Sequence, residues 1–97
     1  MLVTIIGDSM SPTLQDGDEV YFETNPSRKI RINDIVLVKH PYIKERNLVK
    51  RVKNICSDGS VFIQGDNSLC STDSKSFGTV NKNRILGILK KRSCYYE

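Results

Sequence analysis

One serine and one lysine in this 97-residue sequence stand where they could form a catalytic pair. Ser9 follows an apolar segment and Gly7, a pattern that favours a hydroxyl displayed on a turn with backbone amides nearby to bind an oxyanion. A serine hydroxyl is a weak nucleophile at neutral pH, so it needs a general base. The sequence offers two kinds of base, its single histidine and a lysine with apolar neighbours on its strand face.

The histidine is His40, which precedes Pro41 in a predicted surface loop. A Ser/His/Asp triad that uses His40 as its base is formally available. We prefer to interpret this residue as a solvated loop histidine.

The lysine is Lys50, in a predicted strand from Leu48 to Ile55. Side chains alternate between the two faces of a strand, so Lys50 shares a face with Leu48 and Val52. If that face is packed, the loss of water disfavours the ammonium form and can lower a lysine pKa by up to ~3–5 units. A neutral Lys50 could then take the proton of Ser9; the alternative is a lysine that extends its amine to water at an edge.

Length and composition limit what the chain can be. The 97 residues form one domain, since two domains of this total length would each be too small to hold a core. The apolar runs fall far short of the ~20 residues of a membrane-spanning helix, and the sequence does not open with a signal peptide. We therefore expect a single domain over residues 1–97, without a membrane anchor, in the cytoplasm.

The formal net charge of +4 is mild, and part of the excess lies in Lys90 to Arg92. We expect residues 90–97 to form a solvated basic tail. No aromatic or recognition-helix pattern accompanies these charges, so no nucleic-acid partner is expected.

No metal site or disulfide framework is expected. The cysteines are odd in number and widely spaced, which favours reduced thiols over bridges or zinc ligands. They are Cys56, Cys70 and Cys94.

Turn signals recur about every ten residues and separate segments rich in Val and Ile, a pattern typical of an all-β domain. A hairpin turn is predicted at Ser57 to Ser60, because Asp-Gly readily adopts positive φ. The predicted strands are Leu2 to Ile6, Asp18 to Glu23, Asp34 to Lys39, Leu48 to Ile55, Ser60 to Gln64 and Arg84 to Leu89, with a short pairing segment around Phe77 to Val80.

Four motifs, taken in order, resemble the type I signal peptidases. Ser9 to Leu14 resembles their Ser-Met-x-Pro-Thr-Leu nucleophile box, and Asn33 to Leu37 resembles their Gly-Asp-Ile-Val strand with Asn in place of Gly. Val49 to Val52 is similar to their Lys-Arg box, and Gly65 to Gly78 to their last box, which begins Gly-Asp-Asn. The resemblance implies an all-β, partly closed β-barrel or sandwich, the minimal catalytic core of the signal peptidase/LexA-like fold.

The resemblance also implies roles for individual residues. Ser9 matches the nucleophile, Lys50 the general base, and Ser71 the serine whose hydroxyl orients the lysine amine. The backbone amide of Ser9 would donate to the oxyanion. Gly7 stands where some relatives have a serine that adds a side-chain donor, so this oxyanion hole would rely on backbone amides.

Other matching positions imply support and substrate binding. Asp73 and Arg51 occupy positions that pair as structural support in the family. Four apolar residues fall near positions that line the pocket for the residue before the cleaved bond, where they would favour a small side chain: Met10, Leu14, Leu48 and Val49. Met10 and Leu14 fit an ordinary core role equally well.

The short form of the chain is similar to nickel-type superoxide dismutase maturation proteases, small relatives of the signal peptidases. This similarity implies a serine endopeptidase that removes an N-terminal extension from a precursor protein, a nickel superoxide dismutase precursor in particular. The cut itself would need no metal or cofactor.

Three alternatives remain open. The chain could be the catalytic fragment of a membrane-bound signal peptidase, which should then show a large exposed apolar patch. A self-cleaving protease of the LexA or phage-repressor type uses the same dyad, but only eight residues precede Ser9, too few for a DNA-binding domain. The non-enzyme alternative is a β-barrel binding module without catalysis.

Overall fold

The computed structural model describes residues 1–24, 28–67 and 77–92, which form one six-stranded antiparallel sheet. The strand order is β1-β2-β6-β3-β4-β5, so the sheet is open, with β1 and β5 at its edges. A 3-10 turn, Lys82–Arg84, precedes the last strand. The strands are β1 Leu2–Thr4, β2 Glu19–Glu23, β3 Ile35–Lys39, β4 Asn47–Ile55, β5 Val61–Gln64 and β6 Ile85–Arg92.

The central strand β3 is buried on both faces, which shows how the sheet encloses its core. Ile35 and Leu37 belong to one apolar cluster, and Val36 and Val38, which point the opposite way, belong to another. A flat sheet of this size could not cover both faces, so the sheet curls over itself. The first cluster also contains Ile5, Met10, Leu14, Val20 and Phe22; the second also contains Val52, Val61, Ile63, Val80 and Ile88.

The predicted all-β class is confirmed, and each predicted strand is present within about three residues of its expected ends. The short segment near residue 80 also pairs, through a bridge between Val61 and Val80. The expected tail differs: β6 runs to Arg92, which pairs with Val20 of β2. Residues 90–92 are therefore part of the sheet, and residues 93–97 lie outside the described residues.

The predicted turn between β4 and β5 is confirmed. Gly59 has a φ of +90°, a conformation that costs a glycine little. Asp58 Oδ1 accepts hydrogen bonds from the Ser60 hydroxyl at 2.7 Å and from its N–H at 2.9 Å. These bonds favour the carboxylate and hold the pKa of Asp58 below its usual range.

Across the three described ranges, no helix has the length and apolar character needed to cross a membrane.

Candidate active site

Ser9 lies in the loop that joins β1 to β2, at a tight turn. The N–H of Ser11 donates to the Asp8 carbonyl at 3.0 Å, and the N–H of Leu14 donates to the Met10 carbonyl at 2.9 Å. Met10 and Leu14 are fully buried in the first apolar cluster. The turn is therefore anchored to the core on the C-terminal side of Ser9, while the Ser9 side chain stays half-exposed.

The backbone amides around Ser9 differ in availability. The N–H of Gly7 donates to Asp16 Oδ1 at 2.7 Å, and Gly7 has a φ of +88°, which a serine at this position would adopt only with strain. The N–H of Ser9 donates to no atom of the described residues. Of these two N–H groups, the one of Ser9 can therefore donate a hydrogen bond to an oxyanion.

Asn67, in the segment after β5, holds the β1–β2 loop at Asp8 and Ser9. Its backbone N–H donates to the Ser9 carbonyl at 2.8 Å, and its Nδ2 donates to the Asp8 carbonyl at 3.1 Å. These bonds fix the two peptide units on either side of the Ser9 Cα, one of which contains the Ser9 N–H. Sequence reasoning did not assign Asn67 a role, although it lies in the Gly-Asp-Asn motif.

A charged clamp, formed by Arg51, Asp66 and Thr13, connects the β1–β2 loop to β4. Asp66 accepts hydrogen bonds from Arg51 Nε and Nη2, each at 2.8 Å, and from the Thr13 hydroxyl at 2.5 Å. Arg51 Nη1 also donates to the Asn33 carbonyl at 2.9 Å. The Arg51 hydrogen bonds outweigh the effect of burial, and with help from Thr13 they hold the pKa of Asp66 below its usual range.

The described partner of Arg51 is Asp66. The pair of Arg51 with Asp73 that the resemblance implied stays a prediction. Asp73 itself, like the expected orienting serine Ser71, lies outside the described residues.

We expect Asp66→Asn to destabilise the fold by about 1–3 kcal/mol at pH 7, because an amide leaves the half-buried Arg51 guanidinium with a weaker partner. The wild-type contribution is present above the ordinary Asp pKa of ~3.9 and disappears as the pH falls through the lower folded-state value. Urea unfolding from pH 7 to pH 2.5 measures both effects. The stability gap between wild type and variant should therefore narrow below about pH 4.

Asp34→Asn is the matched control for this prediction. Asp34 pairs with the more exposed Arg28 at 2.9 Å, so its loss should cost less, about 0–1 kcal/mol at pH 7. A gap for Asp66→Asn that stays constant down to pH 2.5 would show that the clamp does not depend on the ionised carboxylate.

Lys50 is buried, with 2% of its surface exposed. It pairs across the sheet with Val36, which is fully buried, and shares its strand face with the fully buried Val52. The expectation of a lysine in an apolar setting is confirmed, and its amine does not extend to water.

Ser9 and Lys50 come together at two neighbouring cavities, and both residues line each of them. The first cavity, of about 230 Å³, has largely apolar walls that include three residues expected there, Met10, Leu48 and Val49. The second has about 290 Å³ and a more polar wall. Leu14, the fourth expected residue, lines neither cavity and packs in the core. No hydrogen bond joins Ser9 and Lys50, both of which are described.

His40 lines the second cavity but is held by its own loop. Its Nδ1 accepts hydrogen bonds from the N–H groups of Tyr42 and Ile43, each at 3.0 Å, and its ring packs against Phe77 with centroids 5.5 Å apart. The expected solvated histidine is thus half-buried. An Nδ1 that accepts from two amides has no proton to donate to an aspartate, so this geometry does not form a Ser/His/Asp triad.

The described residues contain no cluster of three or more His, Cys, Asp and Glu side chains that could hold a metal ion. Cys56, the one cysteine among them, is a free, half-buried thiol.

Known proteins similar to this chain include mitochondrial inner membrane proteases from an animal and a plant. The chain is 33% identical over 108 residues to the human mitochondrial inner membrane protease subunit 1, with 89% of the chain and 64% of the relative aligned. It is 35% identical over 105 residues to the mitochondrial ATP-independent inner membrane protease subunit 1a of Arabidopsis thaliana, with 84% and 62% aligned. The chain thus spans less than two thirds of the length of these curated relatives.

A family model extends the comparison to nearly the whole sequence. The Peptidase S24-like model matches residues 1–89, which include all six strands up to the middle of β6 and both candidate dyad residues. The chain belongs to the Peptidase S24-like family.

Proposed function

We propose that this chain is a serine endopeptidase in which Ser9 is the nucleophile and Lys50 the general base. The observation that carries the proposal is a lysine with 2% exposure that shares both cavities with a half-exposed serine. Structural lysines are rarely buried, and this one lies beside the residue that needs a base.

The burial of Lys50 supplies the chemical reason for the assignment. An ammonium ion in water is useless as a base at pH 7, whereas loss of hydration disfavours the charged form. Val36 and Val52 exclude water on the strand face of Lys50, and Leu48 does so at the cavity. The neutral amine can then accept a proton.

The proposed reaction has two halves. Lys50 Nζ takes the proton of the Ser9 hydroxyl as Oγ bonds to the substrate carbonyl carbon, and the Ser9 N–H donates to the resulting oxyanion. The Lys50 ammonium then gives its proton to the leaving amine as the peptide bond breaks. Water attacks the acyl-enzyme with Lys50 again as base, releasing the acid and restoring Ser9.

The first cavity supports a preference for a small apolar side chain before the cleaved bond. Its volume is about 230 Å³, and several apolar residues line it, among them Met10, Leu48 and Val49. A bulky side chain would displace these walls, whereas a small apolar one gains from leaving water.

The substrate proposed is a precursor protein with an N-terminal extension. The overall similarity to nickel-type superoxide dismutase maturation proteases suggests a nickel superoxide dismutase precursor as its specific form. The names of the relatives favour a second candidate with the same chemistry, a precursor processed at a membrane, as their description as inner membrane proteases suggests.

The test is to incubate the full chain with a nickel superoxide dismutase precursor, and separately with peptides from a whole-proteome digest, and to read new N-termini by mass spectrometry. We expect cuts after small apolar residues, at an initial rate that a chelator does not change. If peptides are cut but the precursor is not, the nickel substrate is wrong and the dyad stands. Absence of any cut would overturn the proposal.

A further inference from the structure

A third cavity, which we name the basic cavity, lies at the loop end of the β3–β4 hairpin and has a volume of about 290 Å³. Four cationic side chains and a single carboxylate, that of Glu45, line it. The formal charge of the cavity lining is therefore positive, with four cations against one carboxylate, whereas the protein surface as a whole carries both signs. The four cations are Lys39, Lys44, Arg46 and Arg84.

These cations are not neutralised within the described part of the chain. The two ion pairs found there, Arg28–Asp34 and Arg51–Asp66, lie elsewhere. Arg84 makes one long contact, from Nη1 to the His40 carbonyl at 3.4 Å, with a neutral acceptor. Among the described residues, Glu45 forms no ion pair with any of these cations, so an anion that enters the cavity relieves their mutual repulsion.

The basic cavity is continuous with the site that contains the dyad. His40, Ile43 and Arg46 line both the basic cavity and the second cavity, whose opposite wall holds Ser9 and Lys50. An extended peptide advances about 3.3 Å per residue. A substrate that lies across Ser9 and through the second cavity therefore brings a residue near the cleaved bond to the basic cavity.

We propose that the basic cavity binds an acidic side chain of the polypeptide substrate and so determines where the chain is cut. This inference rests on the proposed function of Ser9 and Lys50. A single Asp or Glu fits a cavity of this volume with one carboxylate in its wall, whereas the repeated charges of a nucleic acid would meet Glu45.

The size of the effect follows from the exposure of the cations. Lys44 and Arg46 are exposed, and pairs between exposed charges are weak and screened by salt. Several cations acting on one carboxylate should raise kcat/KM about threefold to tenfold at low ionic strength. Most of the gain should disappear at about 0.5 M salt, where screening is strong.

The experiment is a cleavage profile of a whole-proteome peptide digest, with three full-length proteins compared. These are the wild type, the double variant Lys44→Glu/Arg46→Glu, and Lys29→Glu, an exposed lysine that lines none of the three cavities. We expect Asp and Glu to be enriched at one position near the cut with wild type and Lys29→Glu. The double variant should enrich Lys and Arg there instead, a result that an unfolded protein cannot produce.

Other results would overturn the inference. Cuts by the wild type without acidic enrichment, or the same enrichment with the double variant, would show that the basic cavity does not read the substrate, while the dyad proposal survives. Inhibition by inorganic phosphate at constant ionic strength, without acidic enrichment, would assign the cavity to free anions. If the wild type cuts no peptide, the proposed function fails and this inference fails with it.

Discussion

The Ser9→Ala variant should lose peptide-bond cleavage by about 10⁶-fold, the scale seen when an activated serine nucleophile is removed. The methyl group cannot form the acyl-enzyme, and the remaining oxyanion donor and cavities cannot replace that step. The fold should be unaffected, because the Ser9 side chain makes no hydrogen bond with any described residue. Cleavage of a reporter peptide and the midpoint of urea unfolding measure the two effects.

Ser11→Ala is the matched control for this prediction. It removes a hydroxyl from the same loop, two positions after Ser9, and Ser11 lines neither the first nor the second cavity. We expect it to retain activity within about twofold. A Ser9→Ala protein with more than a hundredth of wild-type activity would exclude Ser9 as the nucleophile.

Lys50→Met should reduce kcat by about 10²–10⁴-fold, the usual contribution of a general base. Methionine fills a similar volume with apolar atoms, so the loss of the amine is separated from the loss of packing. We expect the free energy of unfolding to change by less than about 2 kcal/mol, because the apolar side chain carries no desolvation cost but also gives up the polar interaction of Lys50. Single-turnover kinetics and urea unfolding together measure both quantities.

Two comparisons make the Lys50 result specific. Lys53→Met changes an exposed lysine of the same strand and should leave activity unchanged. Lys50→Arg should not restore activity, because guanidinium remains protonated at any working pH. If Lys50→Arg cleaves at the wild-type rate, Lys50 acts as a fixed charge and the base must be another group.

The features of this protein that could be predicted from the sequence are those determined by neighbouring residues. Alternation along β4 predicted that Lys50 would share a buried face with Val52, and the Asp-Gly pair predicted the turn at Gly59. Both depend on backbone periodicity and local conformation, which a short stretch of sequence contains.

The partners of the site could not be predicted in the same way, because they are distant in sequence. Asp66 is 53 positions from Thr13, and Asn67 is 59 positions from Asp8. Several aspartates could have satisfied Arg51, and no local pattern selects Asp66 over Asp73. His40 illustrates the same limit. Its sequence neighbours predicted a solvated loop, whereas in the structure the distant Phe77 packs against its ring.

The sequence separation between Asn67 and the turn that it holds determines when during synthesis the candidate site can form. During synthesis Ser9 emerges early, whereas the residues that hold its loop emerge more than fifty positions later. Pairings of such sequence separation form late in folding, since a long loop must close first. If Ser9 acts as proposed, the incomplete nascent chain should not cleave other proteins, because the site is assembled only when the fold is complete.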